Sequence, residues 1–369
     1  MREQTTTRIL SFQGGYATDL PPMVKELTFL DKAENVLYSV SGAVPKVGGT
    51  LALNGTVLSG APSVMGMFDF WRAGTSGSFT QYFVAVTSDG KIYNFGSGTT
   101  ATDITGSVTI TPNSIPSFCQ FKDTLYIFTS AADPVISWAG TGNAALATTS
   151  VPAGRFGFTY NGRMWIGATN SNPSRLNYCA SNDPTLWTGA DTGSIEAAFN
   201  PDDGDRLMGG IEHKQRAIIF KGPNKGSIWE LSGTGTSTYA VAKLSSGIAL
   251  QSPNALGTVG DDVWYSSDRG CHSVAATQKF GNFTGAYLTR FLTEFFRSSI
   301  NRNRLANTWF VDYSHKSSAI WTFTPSGGSA NNLTLGLSYI RIEEEGLKPF
   351  TWTSRTCESA AVRINPSSM

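Results

Sequence analysis

Absences bound the chemistry open to this 369-residue chain before any motif does. Charge is scarce: Lys plus Arg number 28 and Asp plus Glu 27, a formal net charge of +1 at pH 7. The summed field therefore offers no strong attraction to nucleic acid or to an acidic membrane. Cysteine is scarce too. Cys119, Cys179, Cys271 and Cys357 stand sixty residues or more apart with no C-x-x-C pair, which argues against a zinc site or a dense disulfide framework. They read as four buried free thiols of a protein folded in a reducing cytosol. No apolar run of about 18 residues occurs and the first residues lack an apolar signal core, so the expectation is a soluble protein with no membrane insertion and no cleaved export signal. The three histidines, His213, His272 and His315, are far apart, and none neighbours a cysteine or a second histidine at ligand spacing.

What is abundant is turn and aromatic material. The chain has 39 glycines and 12% aromatic residues against 15% charged ones, the profile of a turn-rich β protein with many short strands. The same profile suits a chain inside a larger assembly, where contact cores are poor in charge and rich in aromatics. At this length about three quarters of the unfolded chain's surface can be buried without an external staple.

A turn-like pair followed by an apolar residue, usually followed in turn by an aromatic one, recurs along most of the sequence. The copies are Gly90-Lys91-Ile92-Tyr93, Asp123-Thr124-Leu125-Tyr126, Gly162-Arg163-Met164-Trp165, Gln215-Arg216-Ala217-Ile218, Asp261-Asp262-Val263-Trp264 and Ser318-Ala319-Ile320-Trp321. Their mean spacing is about that of a four-strand propeller blade. Asp89-Gly90 and Asn161-Gly162 sit between alternating apolar residues, a strong hairpin signal because such pairs tolerate positive φ. The fold class expected is all-β: a β-propeller of six irregular blades with Tyr93, Tyr126, Trp165, Trp264 and Trp321 in the blade cores. Hairpin signals alone leave another all-β architecture, such as a long sandwich, open. One segment breaks the pattern. From Tyr287 to Ile300, Leu288, Phe291, Leu292, Phe295, Phe296 and Ile300 follow the i, i+3, i+4 spacing of one helix face, which predicts a single inserted amphipathic helix over 287–300 that caps the core.

Residues 1–50 read as an extended arm and 51–369 as the propeller, closed by strands from both ends so that no sheet edge is left open. The arm carries Gly14, Gly15, Pro21 and Pro22, yet also Phe12, Leu20, Met23, Leu27 and Phe29. It is too apolar for a solvated tail, so these five residues are candidate assembly contacts.

Two clusters come closest to chemistry. Asp202, Asp203 and Asp205 could present hard oxygens to Ca²⁺. They lack the alternating spacing and distal glutamate of an EF-hand loop, and a solvated turn is the preferred reading. Ser266-Ser267-Asp268-Arg269-Gly270 matches the S-x-D-x-G core of the Asp-box turns of sialidase-like propellers. The paired carboxylates and arginine motif that glycosidase chemistry would need are not recognisable. No catalytic residue, no cofactor and no enzymatic activity are expected.

Several segments together resemble the propeller proteins of short-tailed bacteriophages, the hub, nozzle or DNA-stabilisation proteins of the tail. They are Gly14-Gly15 with Ala33-Glu34-Asn35-Val36 and Gly42-Ala43-Val44-Pro45-Lys46; Asn161-Gly162-Arg163-Met164-Trp165 with Pro173-Ser174-Arg175-Leu176-Asn177-Tyr178-Cys179 and Asp183-Pro184-Thr185-Leu186-Trp187; Gly204-Asp205-Arg206-Leu207-Met208-Gly209-Gly210 with Ile219-Phe220-Lys221; and Val263-Trp264-Tyr265 with Asp268-Arg269-Gly270. Cys179 stands where that family usually has Ser. The resemblance implies a structural virion protein, assembled in the host cytoplasm into a homo-oligomeric ring, a hexamer. It would contact the head–tail adaptor and tail fibre or needle proteins and let double-stranded DNA pass without sequence recognition. A near-neutral chain suits a conduit, since every phosphate contact would oppose sliding. The competing class is a propeller module that binds a glycan or a peptide.

Overall fold

The computed structural model describes residues 12, 14–21, 23, 25–26, 28–39, 43–48, 54–74, 77–96, 100–274, 287–340, 346–353, 359 and 361. Six antiparallel sheets follow one another along the chain as the blades of a β-propeller. Blade 1 consists of Val64–Ala73, Phe79–Thr87, Ile92–Asn94 and Thr102–Asp103. Blade 2 is Ser117–Phe121, Thr124–Phe128, Ile136–Trp138 and Ala145–Leu146. Blade 3 is Phe156–Tyr160, Arg163–Gly167, Leu176–Tyr178 and Gly193–Ile195. Blade 4 is Arg206–His213, Arg216–Gly222, Ser227–Ser232 and Ala240–Ser246. Blade 5 has three strands among the described residues, Leu256–Val259, Asp262–Ser266 and Cys271–Ser273, with Tyr287 bridging to His272 on its outer side. Blade 6 is Trp309–Tyr313, Ser318–Phe323, Leu333–Ser338 and Lys348–Trp352.

Short strands form because turn chemistry interrupts the apolar alternation at regular intervals. Between the first two strands of blade 3, Asn161 and Gly162 both take positive φ, 50° and 66°, as a type I′ turn requires. In five blades the recurring motif opens the second strand, whose middle residues are buried: Tyr126, Trp165, Ile218, Trp264 and Trp321. In blade 1 the copy at Gly90–Tyr93 opens the third strand instead, while the second begins at Phe79. This offset accounts for the short step between the first two copies. Tyr93 is nevertheless buried, against Phe83, Ala85 and Phe95.

The core is a series of apolar wedges between neighbouring blades. Val84, Ile92 and Phe70 of blade 1 meet Leu125, Ile127 and Trp138 of blade 2, and Cys119, Tyr126 and Phe128 of blade 2 meet Met164 and Ile166 of blade 3. Equivalent wedges join blades 3 and 4, 4 and 5, and 5 and 6. A buried tryptophan removes on the order of 200 Å² of surface from water, about 5 kcal/mol as an upper bound, so the fully buried Trp165 anchors the wedge between blades 3 and 4 and the fully buried Trp321 that between blades 5 and 6.

At the seam between blades 6 and 1 the two ends of the chain take part. Glu34 forms a parallel bridge with Thr351 on the outer strand of blade 6, and Ala33 and Tyr38 pack on Phe350 and Trp352. From the other end, Ser359 donates to the Val64 carbonyl at 3.2 Å, and Ala361 packs against blade 1.

The helix expected over 287–300 is present but shorter. Helical backbone covers only 293–299, and its last five residues, Phe295–Ser299, form a π-helical turn. Upstream, Leu288 donates its amide to the Cys271 carbonyl, so blade 5 draws residues 287–288 into its outer edge and leaves them unavailable to a helix. The Asp19 carboxylate accepts from the Thr293 and Glu294 amides at 2.6 and 3.0 Å, capping the helix where it starts. Its apolar face holds as expected: Leu292, Phe295, Phe296 and Ile300 are buried in the wedge between blades 5 and 6.

Candidate functional site

The innermost strands of all six blades surround a central cavity of about 610 Å³. Its width is set by glycines that let neighbouring aromatics close in. A Cβ on Gly210 would lie 2.4 Å from the Phe158 ring, and one on Gly257 would lie 2.2 Å from Phe310. Both glycines therefore act as sockets for a ring on the adjoining blade. Phe68 stacks on Phe118 with centroids 5.5 Å apart, and Phe118 in turn meets Trp309 of blade 6 at 6.4 Å. Asn254 donates its side-chain amide to the Pro116 carbonyl at 2.9 Å, tying the start of blade 5 to the start of blade 2.

Polar groups converge on this aromatic wall. Asp69 accepts from the Trp71 indole at 3.0 Å and from the Gln81 amide at 2.8 Å. Gln120 donates to the Trp71 carbonyl at 2.6 Å and accepts its amide at 3.3 Å. Both side chains are thus held before any ligand arrives. Glu212 also lines the cavity and is exposed. Among the described residues the lining carries these two carboxylates and no basic side chain. Cys119 contributes to the wall, but burial pushes its thiol up to about 12, so it offers no thiolate at neutral pH. The arrangement suits recognition of hydroxyls and apolar faces. The signal for it lay in the glycines and phenylalanines of the first strands, which nothing in the sequence marks as facing one axis.

The acidic cluster has a structural use that competes with a calcium site. Lys221, fully buried, donates to Asp203 at 2.7 Å and to the Phe199 and Asn200 carbonyls at 2.8 and 3.0 Å. Asp205 accepts the amides of Asn224, Lys225 and Gly226 at 2.7–3.0 Å. With those oxygens engaged, only Asp202 is left facing solvent, and the calcium reading of Asp202, Asp203 and Asp205 is corrected to a lysine-tied turn. No group of three or more metal-ligating side chains occurs among the described residues.

The Asp-box segment is the hairpin between the second and third strands of blade 5. Ser267 Oγ lies 2.8 Å from His272 Nε2, both fully buried. The His272 ring sits between Tyr265 and Tyr287, with centroids at 5.3 and 4.3 Å, and its Nδ1 has no hydrogen-bond partner. Asp268 points outward to Arg302 at 2.9 Å. Among the described residues no carboxylate is hydrogen-bonded to the Ser267–His272 pair.

Of the arm residues, Phe29 packs edge-on against Phe291 at 5.9 Å and Met23 is 98% exposed. Phe12 and Leu20 are half-buried, and Leu27 lies outside the described residues. Cys179 and Cys271 are buried and free like Cys119, and Cys357 lies outside the described residues.

Fold and cavity define the class: an all-β, six-bladed propeller with an aromatic-walled axial cavity. No protein-family model matches the chain. No curated protein matches it in sequence. Among solved structures it is similar to PorZ, an essential bacterial surface component of the type-IX secretion system of Porphyromonas gingivalis, at 12% identity and a TM-score of 0.43 over 81% of this chain. The chain spans 34% of the length of that protein. It is also similar to SapL1 lectin in complex with alpha methyl fucoside, at 9% identity and a TM-score of 0.35 over 80% of this chain and 96% of the lectin. A prolyl endopeptidase matches at 13% identity and a TM-score of 0.39, over 84% of this chain and 45% of that one.

Proposed function

We propose that this chain is a propeller binding module that takes a neutral glycan at its axial cavity. The observation that carries the reading is the meeting of aromatic faces, Phe68, Phe118 and Phe310, with a carboxylate and an amide already oriented by Trp71 and Gln81. Sugars offer apolar C–H faces to rings and hydroxyls to fixed acceptors, and a cavity of this size and lining is where a small ligand finds both. Exposed Glu212 would accept sugar hydroxyls at the mouth, a charge-assisted bond. No catalytic step is assigned to the site. The test is binding of the full chain to an array of neutral oligosaccharides, followed by titration of any ligand found. Glu212→Gln is expected to weaken binding about tenfold with the melting temperature unchanged. Absence of binding across the array, selective binding of extended peptides, or affinity indifferent to Glu212→Gln would each overturn the reading.

A second reading, the tail-ring protein implied by the sequence resemblance, is favoured by one observation. The arm docks on its own propeller through Phe29 and the Glu34–Thr351 bridge, yet leaves Met23 projecting into solvent. An exposed apolar side chain between docked residues of the arm suits a neighbouring subunit. Light scattering on the full chain and on a Met23→Glu variant separates the two readings: a ring that the variant dissociates supports assembly, and a monomer in both removes it.

A further inference from the structure

Away from the axis, between the Asp-box hairpin of blade 5 and the helical turn that follows it, lies a second cavity of about 530 Å³ lined by Asp268, Arg269, Tyr287, Arg290, Thr293, Phe296, Arg297 and Arg302. Four arginines therefore face one carboxylate in a chain whose overall charge is close to zero. Asp268 is shared by Arg302 at 2.9 Å and Arg269 at 3.9 Å. Arg290 lies over the ring of its neighbour Phe291, 4.5 Å from the centroid, and has no carboxylate partner among the described residues. Arg297, exposed on the π-helical turn, has none either. Asp19 and Glu294 stand nearby, but Asp19 is engaged with the helix amides. Among the lining residues themselves, arginines outnumber carboxylates four to one.

Converging guanidinium groups without enough carboxylates repel one another, and a fold gains nothing from holding them together. Arginine is also the side chain whose planar fork fits tetrahedral oxyanions in pairs of hydrogen bonds. Tyr287 and Phe296 add an aromatic wall, so the cavity can take a ring as well as its charges. We propose that this pocket binds a small organic polyanion, a sugar ring bearing two or more phosphate or sulfate groups. Arg290 and Arg297 act as the primary anion ligands, and Arg302 is held in place by Asp268. The site is distinct from the axial cavity and shares none of its lining residues.

The chemistry is common to phosphate and sulfate esters, and the experiment separates the two. The full chain is titrated by calorimetry with a bisphosphorylated hexose, with a disulfated disaccharide, with inorganic phosphate and with the unmodified disaccharide, each at low and at physiological salt. Binding of one or both modified sugars is expected, with the stronger identifying the ester. Inorganic phosphate should bind at least tenfold more weakly, the neutral sugar should not bind at this site, and affinity should fall as salt rises. Arg297→Gln, on an exposed side chain with no ion-pair partner among the described residues, should weaken binding about tenfold with an unchanged melting temperature, and Arg290→Gln should act similarly. If neither modified sugar binds, if Arg297→Gln leaves their affinity unchanged, or if duplex DNA binds in preference to both with the same sensitivity to Arg297→Gln, the proposal fails. Glu212→Gln is carried as a control and should leave this binding intact, so the axial reading and this one stand or fall separately.

Discussion

Trp264 and Trp321 lie with ring centroids 6.4 Å apart and planes 8° from parallel, each the aromatic residue of its own blade's recurring motif. The Trp321 indole reaches across to the Ala255 carbonyl of blade 5 at 3.3 Å. Here the motif that forms each hairpin also supplies the surface on which the neighbouring blade packs, giving blades 5 and 6 a common core. Phe295 and Phe296 join the same wedge.

Phe295→Ala should therefore destabilise the protein by about 3–5 kcal/mol, through lost transfer energy and the cavity left in a wedge that cannot collapse. Urea denaturation read by tryptophan fluorescence measures it. A loss below about 1 kcal/mol would mean the ring is not part of the core.

Gly257→Ala tests the socket at the axis. The added methyl would meet Phe310 at 2.2 Å, and overpacking of this kind costs about 1–3 kcal/mol. Pairing it with Phe310→Leu should recover part of the loss. Additive losses in the double variant would show that the two residues do not share space.

Lys221→Met removes the ammonium that joins Asp203 to the Phe199 and Asn200 carbonyls. Removing the cation that balances this carboxylate and the donor to two carbonyls should cost about 3–5 kcal/mol, and Asp203→Asn in the same chain should restore a measurable part. Calcium should not raise the melting temperature of the wild-type chain, since the oxygens it would need are engaged.

His272 makes the fold acid-sensitive. Burial first, and then the charge of Arg269, hold its imidazole down to about 3 from 6.5. The unfolded chain therefore binds a proton that the folded one refuses over that interval. Stability from this group is intact above pH 6.5 and falls as the pH drops towards 3, by up to about 1.4 kcal/mol per pH unit. His272→Gln should flatten the slope of unfolding free energy between pH 6.5 and 4 by up to one proton. An unchanged slope would show that another group sets it.

Hairpins, strand periodicity and the identity of the buried aromatics were legible in the sequence because each depends on residues within one turn of chain. Asn161-Gly162 dictates its turn wherever it occurs, and Trp165, Trp264 and Trp321 follow such turns at a spacing that marks a blade. The offset in blade 1 was not legible, since the motif marks a turn without saying which strand the turn precedes. The spacing over 287–300 marks Leu292, Phe295, Phe296 and Ile300, which are buried, but not where the helix starts, with Leu288 and Phe291 half-buried ahead of it, because the bridge from Tyr287 to His272 and the cap from Asp19 come from outside the helix.

Sequence by itself determined that this protein is all-β, repetitive and built of about six units, because local turn chemistry and side-chain alternation are set between near neighbours. Tertiary structure alone decided the sites. Glycines and aromatics of six separate first strands form one cavity only when the ring closes. Asp203 loses its solvent-facing role only when Lys221, from the second strand of blade 4, is folded beneath it. Arg269, Arg290, Arg297 and Arg302 become one pocket only because the chain leaves blade 5 and returns as a helical turn beside its hairpin. Such convergence depends on distances between residues remote in the chain, which composition and spacing do not carry.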